Sequence, residues 1–173
     1  MKHRAYTGTS DGVAKGRRAG MIEFIKQMGI ITDGALWNNG DFGVRDIKGK
    51  AGQLSVHATG RACDLSYRHL PNHKDASNTK GKPEGRKHAL EACRIMVKNA
   101  DLLQIEMIID YFPEPHGRAW KCDRNGWVKY DRHMVSGSPG GDWLHVELSP
   151  AMADDAVAVR SAFKQISEQM ANG

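Results

Sequence analysis

Ser55-Val-His57-Ala-Thr-Gly60-Arg-Ala62-Cys-Asp64-Leu-Ser66-Tyr67, answered far downstream by Asp142-Trp-Leu-His145-Val-Glu147-Leu148, is the pair of stretches from which the chain is read. In the first, Ala62, Asp64 and Ser66 fall on one face of an extended strand and Cys63, Leu65 and Tyr67 on the other. In the second, Leu144, Val146 and Leu148 make the apolar face, with His145 and Glu147 opposite. Gly60 separates His57 from its strand and is free to take positive φ, so the chain can turn and bring both side chains to one point. Gly140-Gly141 allow a bend that lets Asp142 lean over that point. Two strands with apolar backs and polar, uncrowded fronts predict the floor of a cleft bearing two imidazoles and a carboxylate. Three such ligands with one position left to water are the donor set of a catalytic zinc.

The rest of the chain predicts an α+β domain: a central antiparallel sheet bearing the zinc cleft, flanked by about three helices. Residues 13–28 read as the first helix, with Ala19, Ile22 and Ile25 along it and Gly29 as its stop. Short strands are expected over 35–47, around Asn38-Asn39-Gly40. Pro83 opens a second helix to about Ala100, with an apolar stripe of Leu90, Cys93 and Val97 beside Ile95-Met96. Ile105 to Phe112 reads as a buried strand, and Arg124-Asn125-Gly126 as a hairpin turn between Trp120–Cys122 and Trp127–Tyr130. Ser149-Pro150 starts a last helix to about Met170, Ser as cap and Pro in the first turn.

Length and composition suit one catalytic domain spanning residues 1–173. No run of 18 apolar residues is present, and the opening Met1-Lys-His-Arg-Ala-Tyr-Thr-Gly8 lacks the apolar stretch of a signal peptide, so neither a membrane span nor general secretion is expected. Three cysteines without Cys-x-x-Cys spacing argue against a disulfide framework and for a reduced compartment; parity turns Cys63 to the core. The net charge of +5 and pI near 9.2 suit an anionic partner. Arg68, Lys74, Lys80, Lys82, Arg86 and Lys87 concentrate that charge in a stretch rich in Asn, Gly, Ser and Pro, expected to be a mobile loop beside the metal motif or an ordinary solvated one. A nucleic-acid binder is disfavoured, because the charge is scattered and no recognition motif is visible.

Together the motifs resemble the zinc peptidoglycan peptidases, which include D-alanyl-D-alanine carboxypeptidases and L-alanyl-D-glutamate endopeptidases and share a fold with lysostaphin and the hedgehog signalling domain. Ser55, His57, Gly60, Ala62 and Asp64 match that family's Ser-x-His-x-x-Gly-x-Ala-x-Asp. In the second motif Asp142, where the carboxypeptidases carry Glu, resembles the endopeptidase branch that holds many phage endolysins. Leu144 stands there for a usual Pro and Val146 for a usual aromatic. The likeness is close over residues 43–67 and 140–150.

The resemblance implies one zinc per chain on His57, Asp64 and His145, with Asp142 as general base. An arginine holding a substrate carboxylate or the oxyanion is also implied, and Arg45 in Gly43-Val44-Arg45 is the near candidate. Blander roles stand beside these. Asp142 suits a turn after Gly-Gly, and Glu147 is either a rival base or a group orienting a ligand imidazole. Ser55 either caps a turn or bonds near the metal; His116 and His133 either line the cleft or face solvent. The implied activity is L-alanyl-D-glutamate endopeptidase on peptidoglycan stem peptides, by a phage-type endolysin acting as a monomer. It would be held in the host cytoplasm until release to the wall, or carried in a virion. A D-alanyl-D-alanine carboxypeptidase and a non-catalytic, zinc-retaining wall-binding domain are the alternatives.

Overall fold

The computed structural model describes residues 3–68 and 83–172. Lys74, Lys80 and Lys82 of the basic stretch, and the loop expected there, lie outside the described residues. The architecture is α+β. In chain order the elements are α1 (Ala19–Ile31), β1 (Trp37–Gly40), β2 (Asp46–Ile47), β3 (Lys50–Leu54), a 3-10 turn (Val56–Thr59) and β4 (Ala62–Ser66). They continue with α2 (Pro83–Lys98), β5 (Ile105–Asp110), β6 (Arg118–Lys121), β7 (Gly126–Lys129), β8 (Trp143–Leu148), α3 (Pro150–Asp154) and α4 (Ala156–Ala171). Among the described residues one sheet holds six strands in the order β1-β4-β8-β5-β6-β7, antiparallel throughout, and β2 and β3 form a separate hairpin. No described helix is long and apolar enough to cross a membrane.

Strands β4 and β8 are central neighbours, and their register pairs Asp64 with His145 and Ala62 with Glu147, while Cys63 meets Val146 and Leu65 meets Leu144. The alternation expected from sequence therefore holds: Cys63, Leu65, Tyr67, Leu144, Val146 and Leu148 are all fully buried in the main core. Each buried aliphatic of this kind contributes about 1.5–3 kcal/mol. Helix α1 supplies Met21, Phe24 and Met28 to that core, and Phe163 of α4 meets Phe24 edge-on with ring centroids 5.8 Å apart. The three cysteines are free and buried.

Several expectations shift in phase or extent. The first helix begins at Ala19, not at residue 13, because the preceding backbone bonds elsewhere: the Ala14 amide donates to the Ala58 carbonyl, and Arg18 reaches Asp154, Asp11 and the Pro150 carbonyl. It passes through Gly29 and ends near Thr32, whose hydroxyl donates to the Met28 carbonyl. Its core face is one residue off the expected stripe, since Met21 and Phe24 are buried while Ile22 is 41% exposed. In α2 the buried set is Ala89, Ala92, Cys93, Ile95 and Met96 with Val97 packed against the core, so of the expected stripe only Leu90 is exposed. The last helix is two: Ser149 caps α3 as expected, but Asp155 ends it and caps α4 by accepting from the Val157 and Ala158 amides, both at 2.9 Å. Four described helices thus stand where about three were expected. Near the start of α1, a Cβ built on Gly20 would lie 2.0 Å from the Met152 carbonyl oxygen, so α1 and α3 meet backbone to backbone there.

Candidate metal centre

The ligand-bearing side of β4 and β8 is not uncrowded. His57, His145 and Glu147 are only 4%, 7% and 3% exposed, with Tyr6 of the N-terminal segment bonded to Glu147 and His57 itself carried on the 3-10 turn; Asp142 is fully buried as well. Asp64 keeps the most open side chain of the three candidate ligands, at 17%.

His57 is placed by the 3-10 turn. Ser55 caps it by accepting from the His57 amide at 3.4 Å, and Gly60 closes it at φ 71°, returning its N–H to the His57 carbonyl. A Cβ at Gly60 would also press on Arg18 and the Gly16 carbonyl at 3.0 Å, so the expected turn glycine is required on two grounds. Ser55 is thus a turn cap in this structure.

The potential ligand atoms of His57, Asp64 and His145 lie within 4.8 Å of one another. His57 Nε2 stands 3.5 Å and His145 Nδ1 3.1 Å from Asp64 Oδ1. The other ring nitrogens are already engaged. His57 Nδ1 donates to the Asp41 carbonyl, and His145 Nε2 donates to Glu147 Oε1 at 2.9 Å. Since a carbonyl only accepts, Nδ1 is the donor there, and Nε2 is the nitrogen His57 turns toward the cluster. Such outer hydrogen bonds fix the tautomer and direction of ligand imidazoles.

Electrostatics follow from this packing. Burial opposes the Asp64 charge, but hydrogen bonds from His145 and His57 outweigh it and hold that carboxyl well below the usual range. Burial likewise opposes a charged His145, yet Asp64 and Glu147 raise it to about 10. Both ring nitrogens of His145 thus face carboxylate oxygens, which only accept. Glu147 also accepts from the Tyr6 hydroxyl through its second oxygen, at 2.8 Å.

Asp142 is held differently. Arg68 grips both its oxygens, Nε to Oδ2 and Nη2 to Oδ1, each at 2.9 Å. Its carbonyl accepts from the Tyr67 amide and the Ser66 hydroxyl, which ties the Gly140-Gly141 bend to the end of β4. Arg45 is exposed on the segment entering β2, and its guanidinium makes no hydrogen bond or ion pair with the cluster among the described residues. His116 and His133 pair edge-on at 6.1 Å, outside the cluster. Arg68 is paired with Asp142, whereas Arg86 of the basic stretch shares Asp110 with Arg118, so that trio keeps one net positive charge. A groove of about 400 Å³ lined by Leu90, Cys93, Arg94, Val97, Lys98, Arg118 and Trp127 shares no residue with the cluster.

Sequence reading missed four contributors. Tyr6 and Arg68 act across long separations with no local signal, and Asp41 contributes a main-chain carbonyl that any residue type would supply. Arg61 sat in plain view inside the motif: fully buried, it binds Asp11 at 2.9 Å and Glu106 at 3.2 Å, and donates to the Gly8 and Leu148 carbonyls. Compared with family models, curated proteins and solved structures, the chain finds no match.

Proposed function

We propose that this chain is a zinc-dependent peptidoglycan hydrolase, most specifically an L-alanyl-D-glutamate endopeptidase of the phage endolysin kind. The observation that carries the reading is the cluster itself: His57, Asp64 and His145 converge, and the spare nitrogen of each imidazole is tied to an outer acceptor. Two imidazoles and one carboxylate fit a zinc with an open position. When bound, zinc would supply Lewis acidity and lower the pKa of a water from about 15.7 to roughly 7. The chain's own residues would do the rest. His57 Nε2, His145 Nδ1 and Asp64 would hold the ion, and His145 would shed its Nδ1 proton as the ion enters. Asp142 would take a proton from the attacking water and return it to the leaving amine, giving up one of its two Arg68 hydrogen bonds to do so.

The Arg68 fork on a fully buried Asp142 also favours a second reading, in which the cluster organises a wall-binding surface without turnover. Digestion of purified peptidoglycan with zinc-loaded protein, followed by mass spectrometry of the new termini, separates the readings. A free L-alanine carboxyl with a new D-glutamate amine is expected. Release of single D-alanine would transfer the assignment to the carboxypeptidases, and intact stem peptides would leave the binding domain.

A further inference from the structure

We infer that the N-terminal segment is a working part of the metal centre, with Tyr6 as the residue that positions His145; this rests on the metal-binding reading above. The Tyr6 hydroxyl donates to Glu147 Oε2 at 2.8 Å, the oxygen that His145 does not use, while Oε1 accepts from His145 Nε2 at 2.9 Å. On the far side of the ring, His145 Nδ1 faces Asp64 at 3.1 Å. A carboxylate tied through one oxygen can still turn about its terminal bond. Tied through both, its plane is fixed, and with it the direction in which Nδ1 points.

Tyr6 is itself held independently of Glu147. Lys121 Nζ sits 3.6 Å from its ring centroid, and its hydroxyl also lies 3.7 Å from Met107 Sδ. The next residue, Thr7, donates its amide and hydroxyl to Glu106, at 3.2 and 2.6 Å. Gly8 then accepts from the buried Arg61, a residue of the same motif that supplies two of the ligands. The segment is therefore anchored on three successive residues, and the hydroxyl arrives at Glu147 pre-placed. Burial first, and the Glu147 charge second, push the Tyr6 hydroxyl well above its ordinary range, so it remains a donor.

A brace that only stabilised the fold would not need that hydroxyl. The test compares full-length wild type, Tyr6→Phe and Thr7→Val for zinc affinity, by competition with a chromophoric chelator. It also follows solvent exchange of the His145 Nε2 proton by NMR, in metal-free and zinc-loaded protein. Tyr6→Phe keeps the ring under Lys121 and is expected to weaken zinc about tenfold, the low end of what losing an outer partner of a metal ligand costs. It should also speed Nε2 proton exchange in both forms. Thr7→Val removes an anchor of the same segment without touching the hydroxyl and should leave both quantities near wild type. Unchanged affinity and exchange in Tyr6→Phe would overturn the inference, as would equal losses in the two variants, which would make the segment a brace alone. If the wild-type chain takes up no zinc, the metal-binding reading falls by itself. Exchange in the metal-free protein then still decides whether Tyr6 orders His145.

Discussion

On the back of β4 and β8, Cys63, Leu65, Leu144, Val146 and Leu148 are wholly buried against helices; on the front, His57, His145 and Glu147 are nearly as deep. Depth does not distinguish the two faces, but the bonding does. The back is held by contacts with no preferred direction, so its strength scales with volume filled. The front is held by directed hydrogen bonds, which run from Tyr6 through Glu147 and His145 to Asp64 and from His57 to the Asp41 carbonyl. A change of shape should therefore injure the back, and a change of a single atom should injure the front.

The largest expected effect is on the front. His57→Ala, Asp64→Ala or His145→Ala leaves two ligands, too few for a three-ligand site, and each purified variant should contain no stoichiometric zinc by metal analysis. Full occupancy in all three would break the assignment of the front face altogether. Next comes Asp142→Asn, nearly isosteric, which should keep zinc and fold while lowering turnover on peptidoglycan by roughly 10² to 10⁴, the usual worth of a positioned acid–base group. Wild-type turnover in that variant would remove Asp142 from the chemistry.

The back supplies the third test. Leu144→Ala, on the same strand as His145, should cost about 2–5 kcal/mol in urea unfolding, with zinc stoichiometry unchanged in the folded fraction. Loss of zinc without loss of stability would mean the faces are not separable. Glu147→Gln should be milder, weakening zinc affinity or activity by about 10 to 100-fold through His145. An inactive Glu147→Gln that still holds zinc, beside an active Asp142→Asn, would exchange the two roles.

The smallest effect is the back's response to alkali. Burial pushes the Cys93 thiol, ordinarily 9.0, and the Tyr67 phenol, ordinarily 10.0, each up to about 12. A raised folded pKa means the native state holds the proton more tightly. The stability these groups contribute is complete below their ordinary values and is lost as pH climbs through about 12. Urea midpoints of Cys93→Ala against wild type should converge across that interval, and parallel curves would remove the thiol from the account.

Much of this contrast was legible in the sequence because strand parity is strictly local. Asp64 and His145 fell on one face, and Leu144 and Val146 on the other, from alternation alone, and the register then made them neighbours. Helix phase was less legible. Ile22 and Leu90 are as apolar as the residues that pack, and only the tertiary partner decides which stripe turns inward. Tyr6, Arg68 and the Asp41 carbonyl were hidden for a different reason. Their partners lie far along the chain, and nothing within a few residues of Tyr6 marks Glu147 as its acceptor.

The meeting of α1 and α3 at Gly20 has a consequence for how this chain tolerates change. With a Cβ there only 2.0 Å from a carbonyl oxygen of the backbone, no rotamer relieves the overlap, and even alanine demands that two helices part. A saturation library at position 20 selected for soluble protein should return the wild-type codon family nearly alone. Ile22, two residues on and 41% exposed, should accept most of the alphabet.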